Sequence, residues 1–400
     1  MSEWKKVKLD DCLELITYGF TNPMPDTLSG PWKVTAKDIN NGRIVYETAR
    51  HTSQEAFEND LTDKSRPKKG DILLTKDGTL GRLAIVGDER VCINQSVALL
   101  RVNKNILSVP YLYYLLSTPL YQAKMLADAG GAAIKHIYIT RVNQLLIPCP
   151  SYDEQCRIAN ILSRYDSLIE NYQKQIKLLE EAAQRLYKEW FVDLHFPGHE
   201  HTKIVNGVPE GWEKKKIRNF VELQSGYAFK SSTFEDGCPY KIVTIKNVKD
   251  GVFEGEIVST VRTVPEKMPN HCFLKDGDIL LSLTGNVGRV CMVIGENYLL
   301  NQRVAKLKSD YPAYTYSLFR SHEMFITICN LANGAAQQNV SPIRIGDIDI
   351  VMANDELMKK FEGVAGVYVD EIIKHYRQIR LLTEARDRLL PKLMNGELAV

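Results

Sequence analysis

The chain has 400 residues with 51 basic and 49 acidic side chains, so its formal net charge is only +2. This length allows two domains of roughly 150 residues plus connecting elements. No apolar run reaches the roughly 20 residues of a membrane helix, and the N-terminal segment lacks a signal peptide's apolar core. Eight scattered cysteines without a C-x-x-C pair favour a reducing cytoplasm. A protein that grips nucleic acid by charge alone would usually be more basic.

One sequence design occurs twice, over residues 1–190 and 212–393. KKGDILLTKDGTLGR from Lys68 recurs as KDGDILLSLTGNVGR from Lys275, and Asn94-Gln95 recurs with the same offset of 207 residues as Asn301-Gln302. Further blocks match in the same order, including GGAAIKHIYITRV in the first copy and NGAAQQNVSPIRI in the second. Two copies are too few for a solenoid, so each copy is expected to bury its own core.

Each copy begins with a globular part that reads as mixed α and β. G-D-I-L-L predicts a buried strand, the glycine-rich turn leads to a second strand, and a third strand follows the Asn-Gln pair. Helices are predicted around Tyr111–Gln122 and Tyr314–Phe325. The glycine turns match neither the P-loop nor the dinucleotide-binding pattern, so they are interpreted as strand-to-strand loops with glycines at positive φ.

A long helix is predicted after the first globular part. Ser151 and Glu154 form an S-x-x-E capping box, and Pro197-Gly198 ends the segment. Apolar side chains alternate at spacings of three and four, with one additional four after Tyr172 that predicts a stutter in a short coiled-coil seam. The predicted seam consists of Ile158, Ile161, Tyr165, Leu168, Tyr172, Ile176, Leu179, Ala183, Leu186 and Trp190.

A second long helix is predicted to start near Asn354 and to kink or fray at Pro391. Its predicted seam consists of Phe361, Ala365, Tyr368, Ile372, Tyr376, Ile379, Leu382 and Leu389. A single helix this apolar on one stripe would not be stable in water, which favours antiparallel pairing of the two helices. The alternative is that each helix folds back on its own domain.

Together these patterns predict an α+β chain in which two similar mixed α/β domains are separated by two long antiparallel coiled-coil-like helices, as a pseudo-twofold internal repeat. The predicted segments are a first domain at 1–150, a first spacer helix at 151–193, a linker at 194–211, a second domain at 212–353 and a second spacer helix at 354–400.

Polar side chains differ between the equivalent loops of the two copies. Asn and Gln pair with adenine and Arg or Lys with guanine, so unlike polar loops on a shared scaffold are typical of a reader of two unlike DNA half-sites. The alternative for Asn-Gln is a turn that satisfies backbone groups. The candidate residues of the first copy are Lys76, Thr79, Asn94, Gln95, Lys135, His136 and Arg141. Those of the second copy are Thr284, Asn286, Asn301, Gln302, Arg303, Gln337, Gln338, Asn339 and Arg344.

The chain resembles the specificity subunit of type I restriction-modification systems. The resemblance rests on G-D-I-L-L, the later G-x-x-G-R, N-Q and G-A-A, on the junction L-L-I-P-C-P-S-Y-D-E-Q-C-R-I-A, and on the C-terminal RDRLLPKLMNGELAV. It covers essentially the whole chain, and Pro148, Pro150, Glu154 and Gln155 form its most specific part. The second copy keeps Asp355-Glu356 but lacks both prolines and the glutamine.

This resemblance implies two target-recognition domains, each of which reads one half of a split, asymmetric site in double-stranded DNA. It also implies that the helices dock two methyltransferase (modification) subunits, which recruit the motor-nuclease (restriction) subunits. The S-adenosylmethionine used for adenine methylation would be carried by the partner, so this chain is expected to be non-catalytic and to have no cofactor of its own.

Two rival functions come from other classes. A self-contained methyltransferase or nuclease is disfavoured because N-P-P-[YFW] is absent, Asn22-Pro23-Met24-Pro25 being a near miss, and because there is no Walker lysine. A scaffold with two peptide-recognition domains is favoured by the near-neutral charge. His195, His199 and His201 suggest a metal, but structural zinc needs four ligands and no cysteine is near, so no metal site is expected.

Overall fold

The computed structural model describes residues 4–127, 135–256, 259–332 and 339–400. These residues divide into two compact units, Met1–Leu168 with Leu382–Val400, and Ile169–Leu381. Each unit therefore holds one globular domain and part of each of two long helices.

The first domain consists mainly of short strands and ends in the first long helix. In chain order its elements are β1 (Lys6–Lys8), β2 (Leu13–Tyr18), β3 (Thr27–Val34), β4 (Ile39–Asn40), β5 (Arg43–Ile44), β6 (Arg50–His51), α1 (Gln54–Asn59), β7 (Ile72–Thr75), β8 (Leu83–Ile85), β9 (Val91–Ile93), β10 (Val97–Val102), α2 (Val109–Ser117), α3 (Pro119–Ala127), α4 (Ile139–Val142), β11 (Leu146–Pro148) and α5 (Tyr152–Tyr187).

The rest of the chain begins with a short hairpin and ends in the second long helix. In chain order its elements are β12 (Ile204–Val205), β13 (Val208–Pro209), β14 (Glu213–Lys216), β15 (Val221–Ser225), β16 (Tyr240–Val243), β17 (Ser259–Val261), β18 (Phe273–Leu274), β19 (Ile279–Ser282), β20 (Val290–Met292), β21 (Tyr298–Leu300), β22 (Val304–Ser309), α6 (Pro312–Arg320), α7 (His322–Ala332), α8 (Pro342–Gly346), β23 (Asp349–Met352) and α9 (Asp355–Met394).

The first unit is built on an antiparallel sheet in the order β2-β10-β7-β8. The predicted G-D-I-L-L strand is β7, which is fully buried because apolar side chains cover both of its faces. A second sheet has the order β6-β3-β9, in which β3 and β9 are parallel. The chain's first strand pairs with its last before the long helix, with Val7 opposite Ile147. This pairing closes the domain onto the start of α5.

The second unit repeats this arrangement. Its central sheet has the order β15-β22-β19-β20, its second sheet contains the parallel pair β16 and β21, and β14 pairs with β23 before α9. The two domains thus share one topology. The fold class predicted from the sequence, two similar mixed α/β domains with two long helices in an internal repeat, is confirmed.

The single helix predicted after the third strand of each domain is wrong, because two short helices lie there. In the first domain α2 ends at Ser117 and Thr118 has extended backbone, which follows from Pro119 disfavouring the helical region for the residue before it. In the second domain Ser321 is extended and its Oγ accepts the N–H of Met324 at 3.2 Å, so it caps α7.

Within each unit the two long helices pack antiparallel. In the first, Asp166 of α5 pairs with Arg386 of α9 at 2.6 Å, and Ile158 and Leu162 share a core with the end of α9. In the second, the rings of Tyr172 and His375 lie 4.9 Å apart. Each helix also packs on a domain, so pairing and fold-back, the two predicted alternatives, occur together.

The seam of α5 differs from the predicted one. One row of its buried positions recurs every seven residues without a stutter, so the predicted additional spacing after Tyr172 is wrong. Leu168 is 47% exposed and lies outside the seam, whereas its neighbour Ile169 is buried. The other long helix, α9, does not fray at Pro391 but continues through it to Met394. The heptad positions are Leu162, Ile169, Ile176 and Ala183 of α5 and Trp190 in the π-helical turn Lys188–Val192 that follows it.

Both helix starts are capped by side chains, by Ser151 as predicted and by Asn354, near which the second helix is predicted to begin. Ser151 Oγ accepts the N–H of Glu154 at 3.3 Å, and Asn354 Oδ1 accepts the N–H of Leu357 at 2.9 Å. All eight cysteines are free thiols. In the described ranges no helix combines the length and the apolar character needed to cross a membrane.

Candidate nucleic-acid interface

In each domain, loops far apart in sequence meet at one edge of the sheets. Parallel strands end at the same edge, so the chain leaving β3 and the chain leaving β9 emerge together, as do those leaving β16 and β21. The Asn-Gln turns follow β9 and β21. In the β7–β8 turn, Asp77 forms an isolated antiparallel β-bridge with His136. In the β19–β20 turn, Thr284 forms the same kind of bridge with Asn339. We call these edges the first and second loop edges.

Glycine at position 19 and at position 226 allows each loop edge to form. A Cβ on Gly19 would lie 1.8 Å from the carbonyl oxygen of Ile93, and one on Gly226 would lie 2.3 Å from that of Asn301. Only glycine permits backbone to approach backbone this closely. The residue after each glycine holds the glutamine of its edge. The N–H of Gln95 donates to the carbonyl of Phe20, and the N–H of Gln302 donates to the carbonyl of Tyr227. These bonds fix the glutamines at the edge.

The first loop edge carries a cluster of three charged or chargeable side chains. Asp77 contacts the Lys76 ammonium at 2.8 Å and His136 Nδ1 at 2.5 Å. Burial opposes ionisation of Asp77, but the hydrogen bonds from Lys76 and His136 outweigh it and lower the pKa of the carboxyl below 3.8. Two of the predicted reading residues are therefore joined by an acid that is absent from the predicted set.

The other predicted residues of the first copy occupy different environments. Asn94 Oδ1 accepts both the N–H and the hydroxyl of Ser96, at 3.1 and 2.6 Å, which is the structural turn named as its alternative role. Gln95 and Lys135 are exposed. Arg141 lies over the ring of Tyr138 at 5.3 Å. Thr79 donates to the carbonyl of Ala36 at 3.2 Å, which ties the β7–β8 turn to the turn after β3.

The second loop edge forms a cleft of about 590 Å³. Four predicted residues line it: Thr284, Gln302, Arg303 and Asn339. The Thr284 hydroxyl donates to Asn339 Oδ1 at 3.0 Å, while Gln302 and Arg303 are exposed. The cleft also includes Ser225 and Ser341, which are absent from the predicted set. This cleft presents neutral hydrogen-bonding groups and one arginine, whereas the first loop edge presents an ion cluster.

Three further predicted residues of the second copy are not among those that line this cleft. Asn286 is exposed in the β19–β20 turn, Asn301 is half-buried, and Arg344 is exposed on α8. Gln337 and Gln338 lie outside the described residues.

A repeated segment absent from the predicted set also reaches both edges. V-T-A-K-D-I from Val34 and V-T-I-K-N-V from Val243 occupy the turns after β3 and β16. The signal is present in the sequence as a further matching block. Its offset is 209 residues rather than 207, because the intervening loops differ in length.

The three histidines of the linker do not form a metal cluster in the structure. The rings of His195 and His199 lie 5.3 Å apart, and His199 Nδ1 contacts the carbonyl of Phe196 at 2.9 Å. Across the described ranges no group of three or more His, Cys, Asp or Glu side chains is arranged to hold a metal ion.

A repeated domain whose equivalent loop edges carry unlike polar groups is typical of a two-part recognition protein. The model of the type I restriction modification DNA specificity domain matches residues 1–181 and again 209–351. The chain therefore belongs to this family.

Similar proteins agree with that assignment. The type I restriction enzyme MjaVIII specificity subunit of Methanocaldococcus jannaschii is 30% identical over 100% of this chain and 93% of its own length. The MjaIX specificity subunit of the same organism is 26% identical over 92% of this chain and 87% of its own. The crystal structure of a type I S subunit from M. genitalium has the same fold, with 18% identity, a TM-score of 0.60, and coverage of 98% of this chain and 96% of that one.

Family membership defines the chain's role. It is a DNA-recognition subunit of a type I restriction-modification system and is not itself catalytic.

Proposed function

We propose that each domain reads one half of a bipartite, asymmetric DNA site, through its loop edge. The domains proposed are residues 1–150 and 212–353, joined through the spacer helices at 151–193 and 354–400. One observation carries the proposal: the same topology places unlike groups at equivalent positions, Asp77 with His136 in one domain and Thr284 with Asn339 in the other. Unlike donor and acceptor sets would select unlike bases.

The proposed partners follow from the family. A recognition chain without catalytic groups of its own needs methyltransferase subunits, and we propose that two of them dock on the long helices and that restriction subunits join through them. S-adenosylmethionine would be bound by the methyltransferase. Because the DNA substrate and free thiols both suit the interior of the cell, we place the chain in the cytoplasm.

Methylation mapping tests the proposal. The chain is expressed with its methyltransferase partner in a host without type I systems, and the methylated adenines are mapped across the genome. A split motif with two unlike halves is expected. Methylation at a continuous motif, or none that depends on this chain, would contradict it.

Single substitutions then assign each half-site to a domain. Arg303→Ala should relax base preference at one half only, by about 1–3 kcal/mol of discrimination per base pair, and Gln95→Ala should do so at the other half. Lys308→Ala, at the opposite end of β22, is the matched control and should leave the motif unchanged. If one variant altered both halves, the assignment of one half to each domain would be wrong.

A four-residue insertion in α5 near Tyr172 tests the role of the long helices. Because α5 begins in the first unit and continues into the second, the insertion is expected to lengthen the permitted spacer between half-sites and to leave the bases of both halves unchanged. A change of the half-site bases would contradict the idea that helix length sets the spacer.

A further inference from the structure

We propose that Lys37 and Lys246 bind backbone phosphates beside the bases read by the first and second loop edges, as a sequence-independent anchor present once in each domain. The proposal rests on the function proposed above and goes beyond it, because it separates the residues that hold DNA from those that select its sequence. Neither lysine is among the residues predicted from the sequence.

The two lysines occupy turns with the same construction. In the first domain the N–H and hydroxyl of Thr35 both donate to Asp38 Oδ2, at 2.9 and 2.7 Å. In the second domain the N–H and hydroxyl of Thr244 both donate to Asn247 Oδ1, at 2.8 and 3.1 Å. Asp38 and Asn247 are buried, so each turn is anchored by a buried side chain. The lysine that precedes this side chain in each turn is exposed.

Each turn is tied to the loops of its own edge. The N–H of Asn94 donates to the carbonyl of Val34 at 3.3 Å, and that of Asn301 donates to Val243 at 3.1 Å. In the first domain the N–H of Ala36 also donates to Ser96 Oγ at 3.0 Å, beside the Asn-Gln turn.

The second turn packs on the glycine loop of its edge. A Cβ on Gly285 would meet the side chain of Ile245, the residue before Lys246, at 3.1 Å. Each lysine is thus one residue from a group that contacts a reading loop.

The charge of these lysines is available to a ligand. Among the described residues, no carboxylate forms an ion pair with Lys37 or Lys246. Lys76, on the same edge as Lys37, is instead neutralised by Asp77 at 2.8 Å. An exposed ammonium held at a fixed turn is suited to a phosphate oxygen.

The pattern of repetition favours a phosphate over a base as the ligand. Phosphates are the same at every site, so a group that contacts them can be identical in both domains, whereas the groups that distinguish two unlike half-sites must differ. The lysine turn is retained in both copies, while Asp77 and His136 of the first edge are replaced by Thr284 and Asn339 in the second.

The salt dependence of DNA binding provides the test. The full chain with its methyltransferase partner is titrated against a duplex carrying the mapped site and a scrambled duplex of equal length, at several salt concentrations. Lys37→Ala and Lys246→Ala should each reduce the slope of log K against log salt by about 0.9, and the double variant by about twice that. Lys37→Arg and Lys246→Arg should each keep the slope of the unaltered chain.

Control variants make each outcome decisive. Lys104→Ala and Lys308→Ala change residues near the opposite ends of β10 and β22 and should leave the slope unchanged. A slope unchanged in Lys37→Ala and Lys246→Ala would overturn the inference, as would a loss of preference for the mapped site over the scrambled duplex, which would make them base readers. If the wild-type complex bound the two duplexes equally, the proposed function would fail first.

Discussion

The two units attach their short helices to the long helices in different ways. In the first unit the buried amide of Gln155 accepts the N–H of Ser108 at 2.8 Å and donates to the carbonyls of Pro150 and Ile106, at 3.0 and 3.2 Å. In the second unit the carboxylate of Glu362 accepts two N–H groups at the start of α6, from Ala313 at 3.0 Å and Tyr314 at 2.7 Å. One side chain is neutral and the other is an acid.

A second pair of contacts, in contrast, uses an acid in both units. Asp166 accepts the Tyr114 hydroxyl at 2.5 Å and pairs with Arg386 in the first unit, while Glu180 accepts the Tyr316 hydroxyl at 3.1 Å and pairs with Arg320 at 3.5 Å in the second. At the starts of α2 and α6 the fold therefore requires a side-chain oxygen from a long helix, but it does not require one particular charge there. The unpaired N–H groups at a helix start explain the need for the oxygen.

The cores of the two units differ as well, and this difference has the largest expected effect on stability. Phe361 is fully buried and its ring lies 5.0 Å from Phe191 and 5.7 Å from Trp190, in an aromatic cluster that the first unit lacks in the described residues. Phe361→Ala should cost the second unit about 4 kcal/mol, and Leu162→Ala should cost the first unit about 3 kcal/mol.

Hydrogen exchange of the two units measures these losses separately. Each substitution should lower protection in its own unit more than in the other. Leu168→Ala is the control, since that side chain is 47% exposed and should change stability by less than about 0.5 kcal/mol. If Leu168→Ala lowered the free energy of unfolding as much as Leu162→Ala, Leu168 would belong to the helix seam, as predicted from the sequence.

Substitutions at Gln155 and Glu362, which accept the N–H groups at the starts of α2 and α6, test whether each position tolerates a change of charge. Gln155→Glu would point a carboxylate at two backbone carbonyls and should cost about 3 kcal/mol or more. Glu362→Gln keeps one acceptor for the start of α6 and should cost only about 1 kcal/mol. Urea unfolding measures both. Equal costs would mean that the hydrogen-bond pattern at these positions does not decide the side chain.

The acids of the two units should respond to pH in opposite directions. Burial raises the pKa of Glu180 and Glu362 above 4.5. The charge of Arg320 and the hydrogen bond from Tyr316 offset this only in part for Glu180, and the two backbone N–H groups offset it only in part for Glu362. The folded second unit then holds these protons more tightly than the unfolded chain, so its unfolding free energy should fall as pH rises from 4.5 through the raised pKa values.

Asp77 in the first unit has the opposite shift. Burial acts to raise its pKa, but the bonds from Lys76 and His136 lower it below 3.8, so its contribution is complete above 3.8 and is lost as pH falls through the lowered value. Urea unfolding at several pH values, followed by Trp190 and Trp212 for the second unit and by Trp4 and Trp32 for the first, measures both trends. Glu180→Gln and Asp77→Asn should each flatten the trend of their own unit. The same slope in both units would contradict these opposite shifts.

The smallest effects are expected at the breaks between the short helices. Thr118→Ala and Ser321→Ala remove hydroxyls that accept the N–H of Tyr121 and Met324, at 3.4 and 3.2 Å. Each should cost about 1 kcal/mol, the Ser321 variant slightly more because its bond is shorter. Thermal unfolding of the two variants provides the measurement. A stabilised Ser321→Ala variant would mean that α6 and α7 can join into the single helix predicted from the sequence.

Much of the architecture could be predicted from local patterns. The buried strand after Gly70 and Gly277, the positive φ of Gly78 and Gly285 in the glycine turns and the capping residue Ser151 are properties of short segments, so periodicity and side-chain chemistry identify them. The seam was wrong at Leu168 because adjacent apolar residues, Leu168 and Ile169, satisfy the same spacing. Only the facing helix distinguishes them.

The loop edges were less predictable. Gln302, Arg303 and Asn339 line one cleft, and the repeat singles out their loops, but their contact with DNA stays a prediction. The ion pair between Lys76 and Asp77 is not predicted from the sequence, because residues adjacent in the chain do not necessarily direct their side chains toward each other. The inward turn of Asn94 is a similar case, since an amide in a loop is equally suited to a base and to its own backbone.

The sequence by itself determined the repeated topology, the two long helices and the family, because these depend on patterns that extend over many residues and tolerate local change. The tertiary structure decided which polar groups remain available at each edge and which residues face the helix seam. Those outcomes depend on contacts between segments dozens of residues apart, where a shift of a few ångströms separates an exposed reader from a buried hydrogen-bond partner.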